Sequence, residues 1–448
     1  MAAVLAESEP DAFIGVPKAH FLRLAYPKVF NTVKISFVTG PVFFPGVKRL
    51  KNPVKINPGQ YPVFHGDPND MAAIFFTSGS TGPAKGVIYT SGMLKNQIEI
   101  TKLQFNIGTD EIDLCTFPLL GLFAICHGNS SVLADMDMIH PAKLDPVKLI
   151  KNIRDFQCTQ MFGSPMVLNK LVEYCSPRKI RLPSLRNIIS AGAPVHRHLL
   201  ESFVTLISPN AEVHTPYGAT EALPVTDITA SEVLRVYSAG PENGSPVCIG
   251  NPVDPLDVKI IEITDKQITS WDNARLIPVN EVGEIAVKGP WVSTGYFKRN
   301  DADALSKIPD LVTNEIWHRM GDLGKIDLHG RLWFYGRKSH RVITSDGTLL
   351  TISCEAVFNR HPGVARSALV GVPLNNSGFK KPVICIQLKP GFYPTKKLTA
   401  ELLEIGNSVM ITKRISDILF KKEFPVDPRH NAKIFREKLA LWAARKIK

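Results

Sequence analysis

Thr77-Ser78-Gly79-Ser80-Thr81-Gly82-Pro83-Ala84-Lys85-Gly86 gathers four hydroxyls, three glycines and one lysine into ten residues. Such a stretch suits a polyphosphate. Glycines let backbone N–H groups converge on an anion, hydroxyls add donors, and a lysine neutralises charge. The apolar run Met71 to Phe76 in front of it reads as a buried strand. It is not a Walker loop, because the lysine follows a proline and no Gly-Lys-Ser/Thr opens a helix. A Ser/Gly surface linker is the plainer alternative, although linkers rarely follow a buried strand directly.

Four segments further along carry polar chemistry in compact form. Ser190-Ala191-Gly192-Ala193-Pro194 follows Ile188-Ile189, a strand end opening into a turn of small residues against which a flat ring can lie; an ordinary strand-to-helix turn reads the same way. In Tyr217-Gly218-Ala219-Thr220-Glu221, a hydroxyl stands beside a carboxylate, which suits a nucleotide phosphate with Mg²⁺. The same Thr-Glu pair could cap a helix. Met320-Gly321-Asp322-Leu323-Gly324 sets an aspartate just past a glycine at the rim of a strand, where it can accept two ribose hydroxyls, or it is a simple Gly-Asp turn. Near the end, Lys433 stands in Asn431-Ala432-Lys433-Ile434-Phe435-Arg436, within a generally basic tail.

With these segments in this order, the chain resembles the adenylate-forming superfamily: acyl-CoA synthetases, luciferases, nonribosomal adenylation domains and β-lactone synthetases. The resemblance implies an α/β fold with a large multi-sheet N-terminal domain, residues 1–336, and a smaller mobile α+β C-terminal domain, residues 337–448. Arg337 to His340 would fall at the hinge. It further implies ATP and Mg²⁺ as cofactors. Thr77, Ser78, Gly79, Ser80, Thr81, Gly82 and Lys85 would hold the phosphates, Gly192, Ala193 and Pro194 would pack on adenine, and Tyr217, Gly218 and Ala219 would complete that wall. Thr220 would meet the α-phosphate, Glu221 the metal, Asp322 the ribose, and Arg337 the ribose or a phosphate. Lys433 matches the catalytic lysine of the family's last motif, which bridges substrate carboxylate and α-phosphate, with Ala432 in place of the usual glycine. Cys354 to Val364 followed by Ala368 to Pro373 is similar to the family's helix-then-strand signature.

Composition agrees. A chain of 448 residues, 44% hydrophobic, has room for two or three domains. Its seven cysteines show no zinc spacing and no secreted framework, so cytosolic thiols and a cytoplasmic protein are expected. The opening ten residues carry acids where a leader needs bases, and no apolar run reaches the length of a membrane span. The formal charge of +12 is dispersed and accompanies no nucleic-acid motif, so nucleic acid is not an expected partner. Pro146 to Phe156 and Val195 to Leu206 read as amphipathic helices of an α/β body. Relatives usually carry well over a hundred residues before the phosphate loop and this chain has 76, so the opening part of the N-terminal domain is expected to be missing.

Within the superfamily, two departures select a subgroup. CoA ligases follow the hinge with Ile-Lys-x-x-Gly-x-x-Ile, whereas here Val342-Ile343-Thr344-Ser345-Asp346-Gly347-Thr348-Leu349 lacks the lysine and displaces the glycine. The runs Trp317-His318-Arg319-Met320-Gly321-Asp322 and Gly336-Arg337-Lys338-Ser339-His340-Arg341-Val342 look like those of the olefin-biosynthesis β-lactone synthetases. That resemblance implies adenylation of a 2-alkyl-3-hydroxy fatty acid and ring closure to a β-lactone, with AMP and pyrophosphate released. Thiolase, reductase and hydrolase enzymes of hydrocarbon synthesis would be its companions. His340, His430 and the phosphate itself are candidate bases for the hydroxyl. Phe117 to Phe123 reads as an acyl-pocket wall or a plain core strand. A fatty acyl-CoA synthetase and an inactive nucleotide-binding remnant stay open.

Overall fold

The computed structural model describes residues 2–50, 65–77, 84–138, 140–238, 246–374, 377–426 and 433–447. They fall into two units, Met1–Met93 with Ser293–Asp303, and Leu94–Val292 with Ala304–Lys448. The expected boundary at residues 336 and 337 lies inside the second unit.

In the first unit, β1 (Ala12–Gly15), β2 (Ile35–Val38) and β3 (Val47–Arg49) form a parallel sheet in that order. Helix Pro17–Ala25 bridges the first two strands and starts on proline, whose fixed φ and missing N–H suit a first helical position. β4 (Met71–Phe76) pairs antiparallel with β5 (Gly86–Thr90). The expected strand is there, but its burial is not: Met71 and Ala72 are exposed and the other four residues half-buried. A run that is apolar on both faces was expected inside a sheet, and β4 pairs on one edge only in a two-stranded ladder. Thr77 N–H donates to Lys85 O at 2.9 Å and Lys85 N–H to Thr77 Oγ1 at 3.1 Å. These bonds tie together the two ends of the hydroxyl-rich loop. Lys85 Nζ lies 4.8 Å from the Tyr296 ring centre.

The second unit opens with five parallel strands, β6 (Ile112–Cys115), β7 (Ser130–Leu133), β8 (Gln160–Phe162), β9 (Asn187–Ile189) and β10 (Glu212–His214), in the order β10-β9-β8-β6-β7. Both amphipathic readings hold. Helix Pro146–Asp155 buries Leu149, Ile150 and Ile153, and its N-cap Asp145 accepts from Val147 N–H at 2.9 Å. Helix Arg197–Val204 buries Leu199, Leu200 and Phe203. These side chains join Leu114, Met161, Leu168, Leu171 and Ile188 in one core. The strand reading of Phe117 to Phe123 is corrected, because the segment is the helix Pro118–Cys126. Proline at its first position starts it, and the run of leucines, alanine and phenylalanine suits a helix as well as a strand.

An antiparallel sheet follows: β11 (Tyr217–Ala219), β12 (Ala222–Asp227), β13 (Val247–Pro252), β14 (Asp257–Ile261), β15 (Gly283–Lys288), β16 (Lys307–Asp310), β17 (Glu315–Ile326) and β18 (Leu332–Arg337). Its order is β11-β12-β13-β18-β17-β15-β14, with β16 against β17. The remaining chain forms a hairpin, β19 (Val342–Thr344) with β20 (Gly347–Leu349), and a sheet of β21 (Val364–Pro373), β22 (Lys380–Leu388) and β23 (Asp417–Phe420). Helix Thr351–Phe358 precedes β21, as the helix-then-strand reading expected. Among the described residues no helix is long and apolar enough to cross a membrane. Of the seven cysteines, only Cys126 is exposed. Burial raises the other thiols, to about 11 for Cys158 and about 12 for Cys354 and Cys385.

Candidate active site

Asp322 does not sit in a turn or at a strand rim but inside β17, opposite Arg337 at the end of β18, and is 2% exposed. Arg337 Nε stands 3.1 Å from Asp322 Oδ1, and the Tyr217 hydroxyl donates to Oδ2 at 2.6 Å. Burial pushes the Asp322 carboxyl up, while Arg337, the Tyr217 hydrogen bond and the Lys433 charge pull it down and Glu221 adds repulsion. Burial, then the Asp322 charge, drives the Tyr217 phenol well above its usual range. Asp322 Oδ1 is buried and accepts no hydrogen bond, so it has acceptor capacity for a ligand hydroxyl.

Thr220 and Glu221 form the turn between β11 and β12, so the helix-cap alternative is set aside. The turn bends tightly: a Cβ on Gly218 would stand 2.6 Å from Ala222 O. Gly192, at φ +93°, makes the small-residue turn after β9.

These segments converge. Gly192, Ala193, Pro194, Tyr217, Gly218, Ala219, Thr220, Asp322, Arg337 and Lys433 all line one cavity of about 500 Å³. The lining also includes the largely apolar Phe117, Leu119, Leu120, Phe162, Val233 and Tyr237. Of the 117–123 segment, Phe117, Leu119 and Leu120 line this cavity, the two leucines from a helix. Glu221 is not among the lining residues, although its charge is felt at Tyr217 and Asp322. Thr77 and Lys85 belong to the other unit, and Ser78, Gly79, Ser80, Thr81 and Gly82 lie outside the described residues, as does His430.

Lys433 is positioned through its C-terminal neighbours. Ile434 makes a bridge with Val426, and Phe435 N–H donates to Pro425 O at 2.8 Å. Arg436 then forks onto Glu355, Nη2 to Oε2 at 2.9 Å, and donates to Leu369 O at 3.2 Å. Glu355 accepts in turn from Leu369 N–H at 2.8 Å and is 6% exposed. The fork locks helix Arg436–Ala444 to helix Thr351–Phe358 and β21. No local pattern announces this pair, because its members are 81 residues apart. Gly336, at φ +112°, lets β18 approach the same helix, since a Cβ there would run into Thr351 Oγ1.

His340 also lines the cavity, and Nε2 stands 3.3 Å from Glu437 Oε1. Burial and then the charges of Arg436, Arg337 and Lys433 push its imidazole down to about 3. The cavity lining thus combines the cations Arg337, Lys433 and Arg436, fit for an anionic ligand, with apolar side chains fit for hydrocarbon. Among the described residues no group of three or more His, Cys, Asp or Glu could by itself hold a metal ion. The donor set of the Thr220-Glu221 turn, one carboxylate beside one hydroxyl, fits Mg²⁺ shared with ligand phosphates, the usual arrangement for that ion.

The model of the AMP-binding enzyme family matches residues 1–297. The chain belongs to the AMP-binding enzyme family. This AMP-binding enzyme is 40% identical to the olefin beta-lactone synthetase of Stenotrophomonas maltophilia (strain K279a) over 446 residues, 99% of this chain and 80% of that protein. Its fold matches that of the amide bond synthetase McbA from Marinactinospora thermotolerans, with TM-score 0.76 and 21% identity over 99% of this chain and 82% of that one. It also matches O-succinylbenzoate coenzyme A synthetase (MenE) from Bacillus subtilis in complex with ATP and magnesium ion, with TM-score 0.72 and 21% identity over 98% of this chain and 81% of that one.

Proposed function

We propose that this AMP-binding enzyme adenylates a 2-alkyl-3-hydroxy fatty acid with ATP and closes the product to a β-lactone. The observation that carries the reading is the likeness to olefin beta-lactone synthetase over 99% of the chain at 40% identity. The cavity supports it by lining one space with both cationic and apolar side chains.

In this reading the carboxylate attacks the α-phosphorus of ATP and pyrophosphate leaves, which turns a poor leaving group into AMP. Asp322 accepts from the ribose, Arg337 faces ribose or phosphate, and the turn at Gly192, Ala193 and Pro194 lies against adenine with Tyr217. Thr220 donates to the α-phosphate and Glu221 would hold Mg²⁺, which when bound offsets phosphate charge. Lys433 stabilises charge that develops as the α-phosphorus becomes five-coordinate. Residues 337–448 act as a lid that brings Lys433 to the reaction. The substrate's 3-hydroxyl then attacks its own acyl carbon, and the high effective molarity of an intramolecular group offsets ring strain. Thiolase and reductase chemistry would supply the hydroxy acid, and a hydrolase would consume the lactone.

Mass spectrometry of products from ATP plus a 2-alkyl-3-hydroxy acid, with and without CoA, tests the reading. A β-lactone with AMP, formed equally without CoA, is expected. A thioester formed only with CoA would overturn it in favour of an acyl-CoA synthetase.

A further inference from the structure

Adenylation leaves one buried group of the cavity without a task. His340 lies in a single 3₁₀ turn, Lys338–His340, and its side chain is 9% exposed. The residues on either side of it are anchored. Lys338 Nζ pairs with Glu284 Oε1 at 3.0 Å, where Glu284, 1% exposed, also accepts from Arg319 Nη2 at 2.6 Å. Arg341 is paired with Asp265 and donates to Lys338 O at 2.8 Å. A turn clamped before and after the histidine fixes where the imidazole stands. The backbone of its partner is held too, since Glu437 follows Arg436, which is locked on Glu355, while the Glu437 side chain itself is half exposed.

Such a clamp is more than a wall residue needs. The contact of Nε2 with Glu437 favours the tautomer that carries its proton on Nε2 and leaves the Nδ1 lone pair available, the arrangement by which a carboxylate orients a histidine base. The charged groups facing the ring are Arg337 from β18, Lys433, Arg436 and Glu437, with Lys338 and Arg341 in its own turn. Burial first, and then the charges of Arg436, Arg337 and Lys433, keep the ring unprotonated, and the phosphate of a bound acyl-adenylate would raise its basicity by offsetting those charges.

We propose that His340 is the base that takes the 3-hydroxyl proton during ring closure and that Glu437 is its positioning residue. The inference rests on the proposed function. The proton passes from the 3-hydroxyl to imidazole nitrogen. The alkoxide oxygen bonds to the acyl carbon, closing the four-membered ring, and the bond from that carbon to the phosphate oxygen breaks with its electron pair leaving on AMP. The imidazolium then releases its proton to water.

Rapid-quench single turnover of the full chain with ATP and a 2-alkyl-3-hydroxy acid resolves acyl-adenylate from lactone. With His340→Gln, acyl-adenylate is expected to accumulate and its closure to slow by about 10²- to 10⁴-fold, the usual range for loss of a general base, well beyond any change in its formation. With Glu437→Gln, closure is expected to slow by about tenfold and its acid limb to move to lower pH, as a less basic imidazole requires, while Glu437→Asp recovers most of the rate. Closure by His340→Gln within twofold of the parent would overturn the inference, as would equal loss of both steps. Should His340→Gln fail to fold, an unmoved pH profile in Glu437→Gln overturns it instead. A parent protein that forms acyl-adenylate but no lactone overturns the proposed function itself.

Discussion

Arg337 and Asp322 face each other across the β17–β18 ladder, Nε 3.1 Å from Oδ1, and so a fixed cation and a buried carboxylate share one wall of the cavity. Asp322 therefore holds Arg337 through Oδ1 and Tyr217 through Oδ2. Asp322→Asn keeps the shape and removes the charge. It should weaken AMP and ATP alike by about 1.5–3 kcal/mol, the worth of hydrogen bonds to a charged group, in isothermal titration calorimetry. Unchanged AMP affinity would show that the ribose does not sit here.

Glu221 lies in the β11–β12 turn, beside the cavity lining rather than in it. Glu221→Gln should bind nucleotide as before without metal, and lose adenylation at ordinary Mg²⁺, with partial recovery as Mg²⁺ is raised. A neutral amide is a poorer ligand for a hard cation. Pyrophosphate release with an unaltered Mg²⁺ dependence counts against the role.

Lys433 should matter in the transition state more than in binding. Lys433→Ala is expected to abolish pyrophosphate release while ATP affinity stays within a few fold. A variant that binds no ATP would instead make Lys433 a ground-state ligand.

Glu355 is the buried partner of Arg436. Removing it as Glu355→Ala strands a guanidinium, a loss of about 3–5 kcal/mol for a buried pair broken from one side. Thermal unfolding should report a clear fall in midpoint. The double variant Glu355→Leu with Arg436→Met should recover part of it, and no recovery would mean that the single hydrogen bond from Arg436 to Leu369 O matters more than the charges.

The His340 imidazole also predicts an acid sensitivity. Its ordinary value is 6.5 and the fold pushes it down to about 3, so between those values the unfolded chain binds a proton that the folded chain does not. Stability is then lost as pH falls through that window. His340→Gln cannot titrate and should lose less, by at most about 1.4 kcal/mol per pH unit. Chemical denaturation of parent and variant that runs parallel through the window would refute this.

Several candidate residues could be singled out in the sequence because their chemistry is local. Gly192 to Pro194, Tyr217 to Glu221, Asp322 and Lys433 each sit in a short run whose residue types state what they could bind, and the fold brings all but Glu221 onto one cavity. The Arg436–Glu355 fork and the Lys338–Glu284–Arg319 cluster were not legible. They join residues from distant strands and helices, and only strand order makes them neighbours. Periodicity misjudged two apolar runs for a related reason. Met71 to Phe76 and Phe117 to Phe123 carry no alternation, so neither the burial of the first nor the helix of the second could be read from pattern alone.

Six of the seven thiols are shut inside the fold, while Cys126 ends the helix whose first turn gives Leu119 and Leu120 to the cavity lining. The unmutated protein thus comes with one addressable attachment point. A fluorophore placed there by brief alkylation would sit on the helix that contributes Leu119 and Leu120 to the cavity, with no cysteine-free background to engineer first.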